Sequence, residues 1–181
     1  MSDNTSEKHW FVLRDLKRRN ANSLGIFELR DAGFEAFTPI TQMIMTIGGR
    51  RQRLEVPVIQ DLLFVYDTKA ALDVYVQKRP TLQYRYVRGR SMDEPMTVRN
   101  EDMAKFIRAV GITDTPLYFM PGELTPAMYG KKVRIVGGAL DSYEGRLLSV
   151  KGMRKRRLII ELPNLMSVAV EVEPDFIELI K

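Results

Sequence analysis

The chain has 181 residues, 45% of them hydrophobic, with 28 Lys and Arg against 23 Asp and Glu and a pI near 9.5. This apolar content is enough for a packed core and excludes a wholly disordered chain. The absence of cysteine excludes disulfides, thiolate metal sites and a cysteine nucleophile, while the basic balance favours an anionic partner.

The first apolar run, Trp10-Phe11-Val12-Leu13, reads as a strand. Asn20 or Asn22 is placed to cap a helix through Arg30, with Leu24, Phe27 and Ala32 inward and Gly33 ending it. Residues 34–39 read as a strand stopped by Pro39. Residues 42–47, Gly48-Gly49 and residues 51–56 read as a hairpin with a basic tip. Residues 58–66 are expected to form a central strand. Thr68 caps a helix through Lys78 with Ala71, Val74 and Tyr75 on its inner stripe, and Pro80 breaks it. Residues 83–88 read as a strand, and Asn100 caps a last helix carrying Met103, Phe106, Ile107 and Val110 up to Gly111. The order predicts an α+β fold, an α/β sandwich over residues 8–111.

Residues 112–127 change character: Pro116, Pro121 and Pro126 interrupt any period, which reads as a linker, although Leu117, Tyr118 and Phe119 could lie against a domain. Beyond it, strands are expected at 131–137, 144–151, 157–162, 166–172 and 177–180. They make a small all-β barrel over 128–181, whose closure removes exposed edges. In the stretch from Gly130 to Leu148, Val133, Ile135 and Leu147 share one face and Lys132, Arg134 and Arg146 the other. A basic β-module of this size reads as a binding surface rather than a catalytic pocket.

The chemistry of catalysis is not legible in this chain. His9 is the only histidine, so neither a metal site nor a Ser-His-Asp triad can be assembled, and no phosphate-binding glycine loop exists. No enzyme activity and no cofactor are expected. Three basic clusters stand out instead: Lys17-Arg18-Arg19, Arg50-Arg51 with Arg53, and Arg154-Lys155-Arg156-Arg157. They suit nucleic acid or ribonucleoprotein, with solvated surface charge as the competing reading. No stretch approaches the roughly 18 apolar residues of a membrane span, and the polar N-terminus lacks a signal-peptide core, so a cytoplasmic location without membrane contact is expected.

Gly130 to Leu148 looks like a KOW motif, and the N-terminal portion resembles that of NusG-type transcription elongation factors. The resemblance rests on Trp10-Phe11-Val12-Leu13, Gly33 to Pro39, Leu62-Leu63-Phe64-Val65, Arg85-Tyr86-Val87-Arg88 and the helix start from Val98 to Met103. It covers residues 9–180. The chain has Ile59-Gln60-Asp61-Leu62 where housekeeping members carry Phe-Pro-Gly-Tyr, and Gly138-Ala139-Leu140 where the KOW turn usually reads Gly-Pro-Phe. These departures look like a specialised paralog. Arg85 to Arg90 followed by Glu94-Pro95-Met96 is similar to the UpxY-like branch, antiterminators of capsular polysaccharide operons.

The resemblance implies an α/β domain followed by a small all-β SH3-like KOW barrel, and a monomeric factor that binds RNA polymerase and suppresses pausing and termination. Ile59, Leu62, Phe64 and Tyr86 match the family's apolar concavity for the polymerase clamp helices, with Met96 and Met103 on its rim. The family further implies that Lys17, Arg18, Arg19, Arg50, Arg51 and Arg53 lie near non-template DNA or nascent RNA. Arg154, Lys155, Arg156 and Arg157 would meet a KOW partner, a ribosomal protein or a termination factor. Gly145 matches the KOW glycine and, like Gly130, would be structural. The competing reading is a KOW-type RNA- or ribosome-binding protein without a polymerase role.

Overall fold

Four consecutive apolar residues, Trp10 to Leu13, all lie buried in strand β1 (Lys8–Asp15), which is therefore covered on both faces. The computed structural model describes residues 6–87, 89 and 94–181, and the chain divides into two compact units, Met1–Asn100 and Glu101–Lys181.

In the first unit, β1 pairs antiparallel with β5 (Leu63–Thr68), β6 (Leu82–Tyr84) and β7 (Thr97–Val98), and β2 (Glu35–Phe37) adds to β5. The strand order is β2-β5-β1-β6, with β7 on β1. The sequence places the central strand at 58–66. It begins only at Leu63, because residues 58–62 turn, the Leu62 amide reaching back to the Ile59 carbonyl. Likewise the strand expected over 83–88 stops at Tyr84; Tyr86 makes an isolated bridge to Pro95, and Arg88 lies outside the described residues.

One face of this sheet carries Phe11, Leu13, Leu63 and Val65 against helices α1 (Gly25–Asp31) and α2 (Lys69–Gln77), which contribute Ile26, Leu29 and Leu72. Each such side chain contributes about 1.5–3 kcal/mol by leaving water. Helix α1 starts later than the asparagines suggest. Its N-cap Leu24 has no capping side chain, and Asp15 at the end of β1 accepts from the Gly25 amide (2.6 Å) and the Lys17 amide (3.0 Å). A side chain at position 25 would collide with that carboxylate, 2.8 Å from an ideal Cβ. At the other end Gly33 (φ +87°) closes the helix as expected, the Phe34 amide bonding the Leu29 carbonyl and the Gly33 amide that of Arg30. Thr68 caps α2 through the Ala71 amide as expected, and Tyr75 packs on the core as expected, but Leu72 is the helix's buried residue and Ala71 and Val74 are exposed.

The hairpin forms as a separate two-stranded ribbon, β3 (Ile40–Ile47) and β4 (Arg50–Pro57), in register from Ile40 opposite Pro57 to Ile47 opposite Arg50. Its two-residue turn has positive φ at both Gly48 and Gly49, the primed geometry that matches strand twist.

Helix α3 (Asn100–Gly111) buries Met103, Phe106 and Ala109. The second unit's sheet has six antiparallel strands in the order β13-β9-β10-β11-β12-β8. They are β8 (Leu117–Phe119), β9 (Tyr129–Ile135), β10 (Glu144–Leu148), β11 (Arg157–Leu162), β12 (Met166–Glu171) and β13 (Ile177–Leu179). The stretch read as a linker thus supplies β8, which pairs with β12 through Tyr118 opposite Val168. The division between the units falls at Asn100–Glu101, and the segment 112–127 lies within the second. Val133, Ile135 and Leu147 are buried, with Lys132, Arg134 and Arg146 exposed, as the alternation predicts. A register shift between Arg146 and Leu148 then buries Leu147 and Leu148 side by side.

Candidate functional site

The residues matched to a polymerase-binding concavity do not form one open surface. Phe64 stands on the sheet face opposite the α1–α2 side, aligned across β1 with Val12, and is fully buried. Ile59 and Leu62 flank the turn before β5 and are 8% and 2% exposed. Met96 is half-buried, its carbonyl accepting from the Val12 amide. Tyr86 is 36% exposed, and its ring lies 6.5 Å from that of Tyr84, which packs on the helix-side core. Met103 is fully buried on α3, in the second unit. Tyr86 and Met96 are therefore the members a partner can reach in this conformation.

Polar residues around that patch are tied in a way the sequence did not disclose. Asp61 receives Arg14 at 3.4 Å and Arg85 at 3.2 Å, and Arg85 also donates to the Asp61 carbonyl (3.1 Å). Burial pulls the Arg85 pKa below its ordinary value, while Asp61 opposes that shift. Gln60 donates to the Lys17 carbonyl (2.8 Å), fastening the same turn to the loop after β1. The one available signal was the departure from Phe-Pro-Gly-Tyr at Ile59–Leu62. It marks where Gln60 and Asp61 stand but not what they hold.

The basic clusters separate into committed and free cations. Lys17 is held by Glu28 and the Ser23 carbonyl. Arg19 donates to the Val58 carbonyl (3.3 Å) and contacts the Met43 sulfur (3.9 Å), bracing the root of the ribbon. Arg18, Arg50, Arg51 and Arg53 are exposed, and among the described residues no carboxylate pairs with them. The strand register puts Arg51 and Arg53 on one face of the ribbon with Thr46 and Ile44, and Arg50 on the other. That second face carries Met43, Met45 and Leu54, each half-buried.

In the second unit, Arg157 differs from its three neighbours. It is buried at the start of β11 and donates to the Thr115 carbonyl (2.6 Å), the Thr115 hydroxyl (3.3 Å) and the Ala169 carbonyl (3.5 Å). It fixes the segment before β8 to the sheet. Lys155 pairs with Glu171 at 2.8 Å on the surface, while Arg154 and Arg156 are exposed and, among the described residues, no carboxylate pairs with them. Gly130 and Gly145 are required by close backbone approach. A Cβ at Gly145 would sit 2.8 Å from the Ile159 carbonyl oxygen, and one at Gly130 2.9 Å from that of Leu147. At the turn after β9, Gly137 and Gly138 lie under the Phe176 ring, and the Gly137 amide donates to Asp141. That bond, with help from the Ser142 hydroxyl, holds the Asp141 carboxyl below the usual carboxylate range.

Among the described residues no helix is long and apolar enough to cross a membrane, and no three His, Asp or Glu residues converge as metal ligands. No family model and no curated protein matches the chain. Among solved structures, one described as domain interaction in Thermotoga maritima NusG is similar at 15% identity and a TM-score of 0.47, covering 97% of this chain and 98% of that one.

Proposed function

We propose that this chain is a NusG-type transcription elongation or antitermination factor, a specialised paralog of the UpxY-like branch serving a capsular polysaccharide-type operon. The observation that carries the reading is the β9–turn–β10 segment. There Gly145 lies hard against the β11 backbone, as the KOW-like sequence requires, in an all-β sheet that follows an α+β unit. In this reading the second unit is an SH3-like KOW module and the chain is a monomeric cytoplasmic binding protein without catalysis or cofactor.

The first unit would engage the polymerase clamp helices through Tyr86 and Met96. Ile59, Leu62, Phe64 and Met103 would take part only after rearrangement, since side chains exposed by 8% or less offer a partner almost no area. Arg18 and the ribbon cations would contact upstream or non-template DNA, a contribution that weakens with salt.

A transcription elongation assay with purified polymerase tests this. Added protein is expected to raise readthrough and shorten pauses, and Tyr86→Ala with Met96→Ala is expected to reduce both effects. Unchanged pausing with the wild-type chain overturns the assignment. The burial of Ile59, Leu62 and Phe64 favours a second reading, an RNA- or ribosome-binding protein with no polymerase role. In that case the chain would bind RNA and leave elongation unaltered.

A further inference from the structure

The loop after β10 closes one side of a groove that lies wholly within the second unit. Its volume is about 620 Å³, within the range of pockets that take specific ligands. Leu147 and Leu148, brought side by side by the register shift, line it from β10, and Ile177 and Leu179 from β13. Ile177 and Leu179 are two residues apart, so both face the same side of their strand. Leu179 is 61% exposed, an apolar side chain that the folded unit does not itself cover.

The charge along this groove has one sign. Lys131, Arg154, Lys155 and Arg156 line it, and no Asp or Glu does. Among the described residues, Lys155 is the one of these four with a carboxylate partner, Glu171. An occupant must therefore bring negative charge to the rim and aliphatic surface to the floor.

Two polymers carry such charge, and the lining distinguishes them. Single-stranded nucleic acid is typically held by aromatic side chains on which bases stack. The groove is lined by no Phe, Tyr, Trp or His. An extended peptide needs only a half-open trough with apolar positions at strand spacing and cations beside them.

We propose that this groove is a docking site for an extended protein segment in which acidic residues alternate with aliphatic ones. The proposal refines the partner-binding role given above to the Arg154–Arg156 loop and rests on that reading, but not on any contact with polymerase. Aliphatic side chains lie over β9, flanked by the apolar residues of β10 and β13, and carboxylates meet Lys131, Arg154 and Arg156. Arg157 takes no part, since its guanidinium is bonded inside the unit.

Fluorescence anisotropy on the full chain tests this with three labelled probes of equal length: a ten-residue peptide alternating Asp or Glu with Leu or Val, an all-glutamate decapeptide, and a ten-nucleotide oligouridylate. The alternating peptide is expected to bind at least ten-fold more tightly than either control. Arg154→Glu with Arg156→Glu should weaken it ten-fold or more, and Leu179→Ser several-fold; all three side chains are exposed, so the fold is retained. Lys131→Glu supplies an independent variant from a different strand. Oligouridylate binding as tight as the peptide, equal binding of the all-glutamate probe, or affinity unmoved by the charge reversals would each overturn the proposal. Polymerase is absent from this measurement, so its failure and a failure of the elongation assay are distinguishable.

Discussion

The five-stranded sheet and the β3–β4 ribbon are neighbours in the first unit, and their strands have opposite fates. Trp10 to Leu13 in β1 and Leu63 to Val65 in β5 are buried on both faces. In the ribbon, burial reaches only Val56 and Pro57 at the root, and residues 50–53 are fully outside. An isolated two-stranded hairpin is marginal in water, so the ribbon depends on its root. There the Val58 amide bonds the Pro39 carbonyl, the Thr38 hydroxyl donates to the Leu62 carbonyl, and Arg19 braces Val58. The buried sheet thus carries the stability, and the ribbon, anchored at its root, presents cations at the end of a lever some eight residues long, about 25 Å at strand rise.

The comparison breaks most visibly at Phe64. Phe64→Ala is expected to cost about 3–5 kcal/mol in urea denaturation, whereas Ile44→Ala on the exposed ribbon changes stability by less than about 0.5 kcal/mol. Equal costs would mean that the ribbon is packed as tightly as the sheet. For the same reason Leu62→Ala is a poor probe of partner binding: it removes a core side chain, and lost binding would report lost fold.

The next effect extends the contrast to the second unit. Gly145→Val places side-chain atoms against the Ile159 carbonyl, and over-packing of this kind costs about 1–3 kcal/mol, read as a lowered midpoint in thermal unfolding. Gly48→Ala and Gly49→Ala, with open space around both, are strained by their positive φ rather than by contact. Their cost should be smaller and confined to the ribbon, visible as faster amide exchange there.

Two adjacent arginines sharpen it further. Arg157→Ala leaves the Thr115 carbonyl without its donor and is expected to destabilise by about 1–3 kcal/mol, while Arg156→Ala leaves stability unchanged within about 0.5 kcal/mol. The ribbon triple Arg50→Ala, Arg51→Ala, Arg53→Ala should likewise fold normally. Its effect appears only in binding: if the tip contacts duplex DNA, the slope of log affinity against log salt falls by up to about 3. An unchanged slope would remove the ribbon from the DNA interface.

The smallest effect concerns acid. The Asp141 carboxyl is held below its ordinary value by the Gly137 amide and the Ser142 hydroxyl, so its stabilising contribution is present above the unfolded-state value and is lost as pH falls through the lowered folded one. Asp141→Asn is therefore expected to lower stability slightly at neutral pH and to flatten the acid limb, the variant and wild-type profiles converging as pH falls below about 4.

The sequence by itself determined those elements whose signal is local. The Gly33 helix stop, the Thr68 cap, the Gly48-Gly49 turn and the alternation from Lys132 to Leu147 all stand as read, because capping, positive φ and period-two burial are set by residues a few positions apart. Tertiary structure alone decided the rest. Asp15 rather than Asn20 or Asn22 meets the start of α1, Asp61 gathers Arg14 and Arg85, β8 emerges from a proline-rich stretch by pairing with β12, and Arg157 leaves its cluster to bond Thr115. Each joins residues 10 to about 50 positions apart, and no local propensity encodes which distant carboxylate, carbonyl or strand edge will arrive. The same limit applies to the candidate sites. Residue type marked the cations and the apolar set, but whether Arg154 is free, Lys17 bonded or Phe64 covered depends on neighbours that only the folded chain supplies.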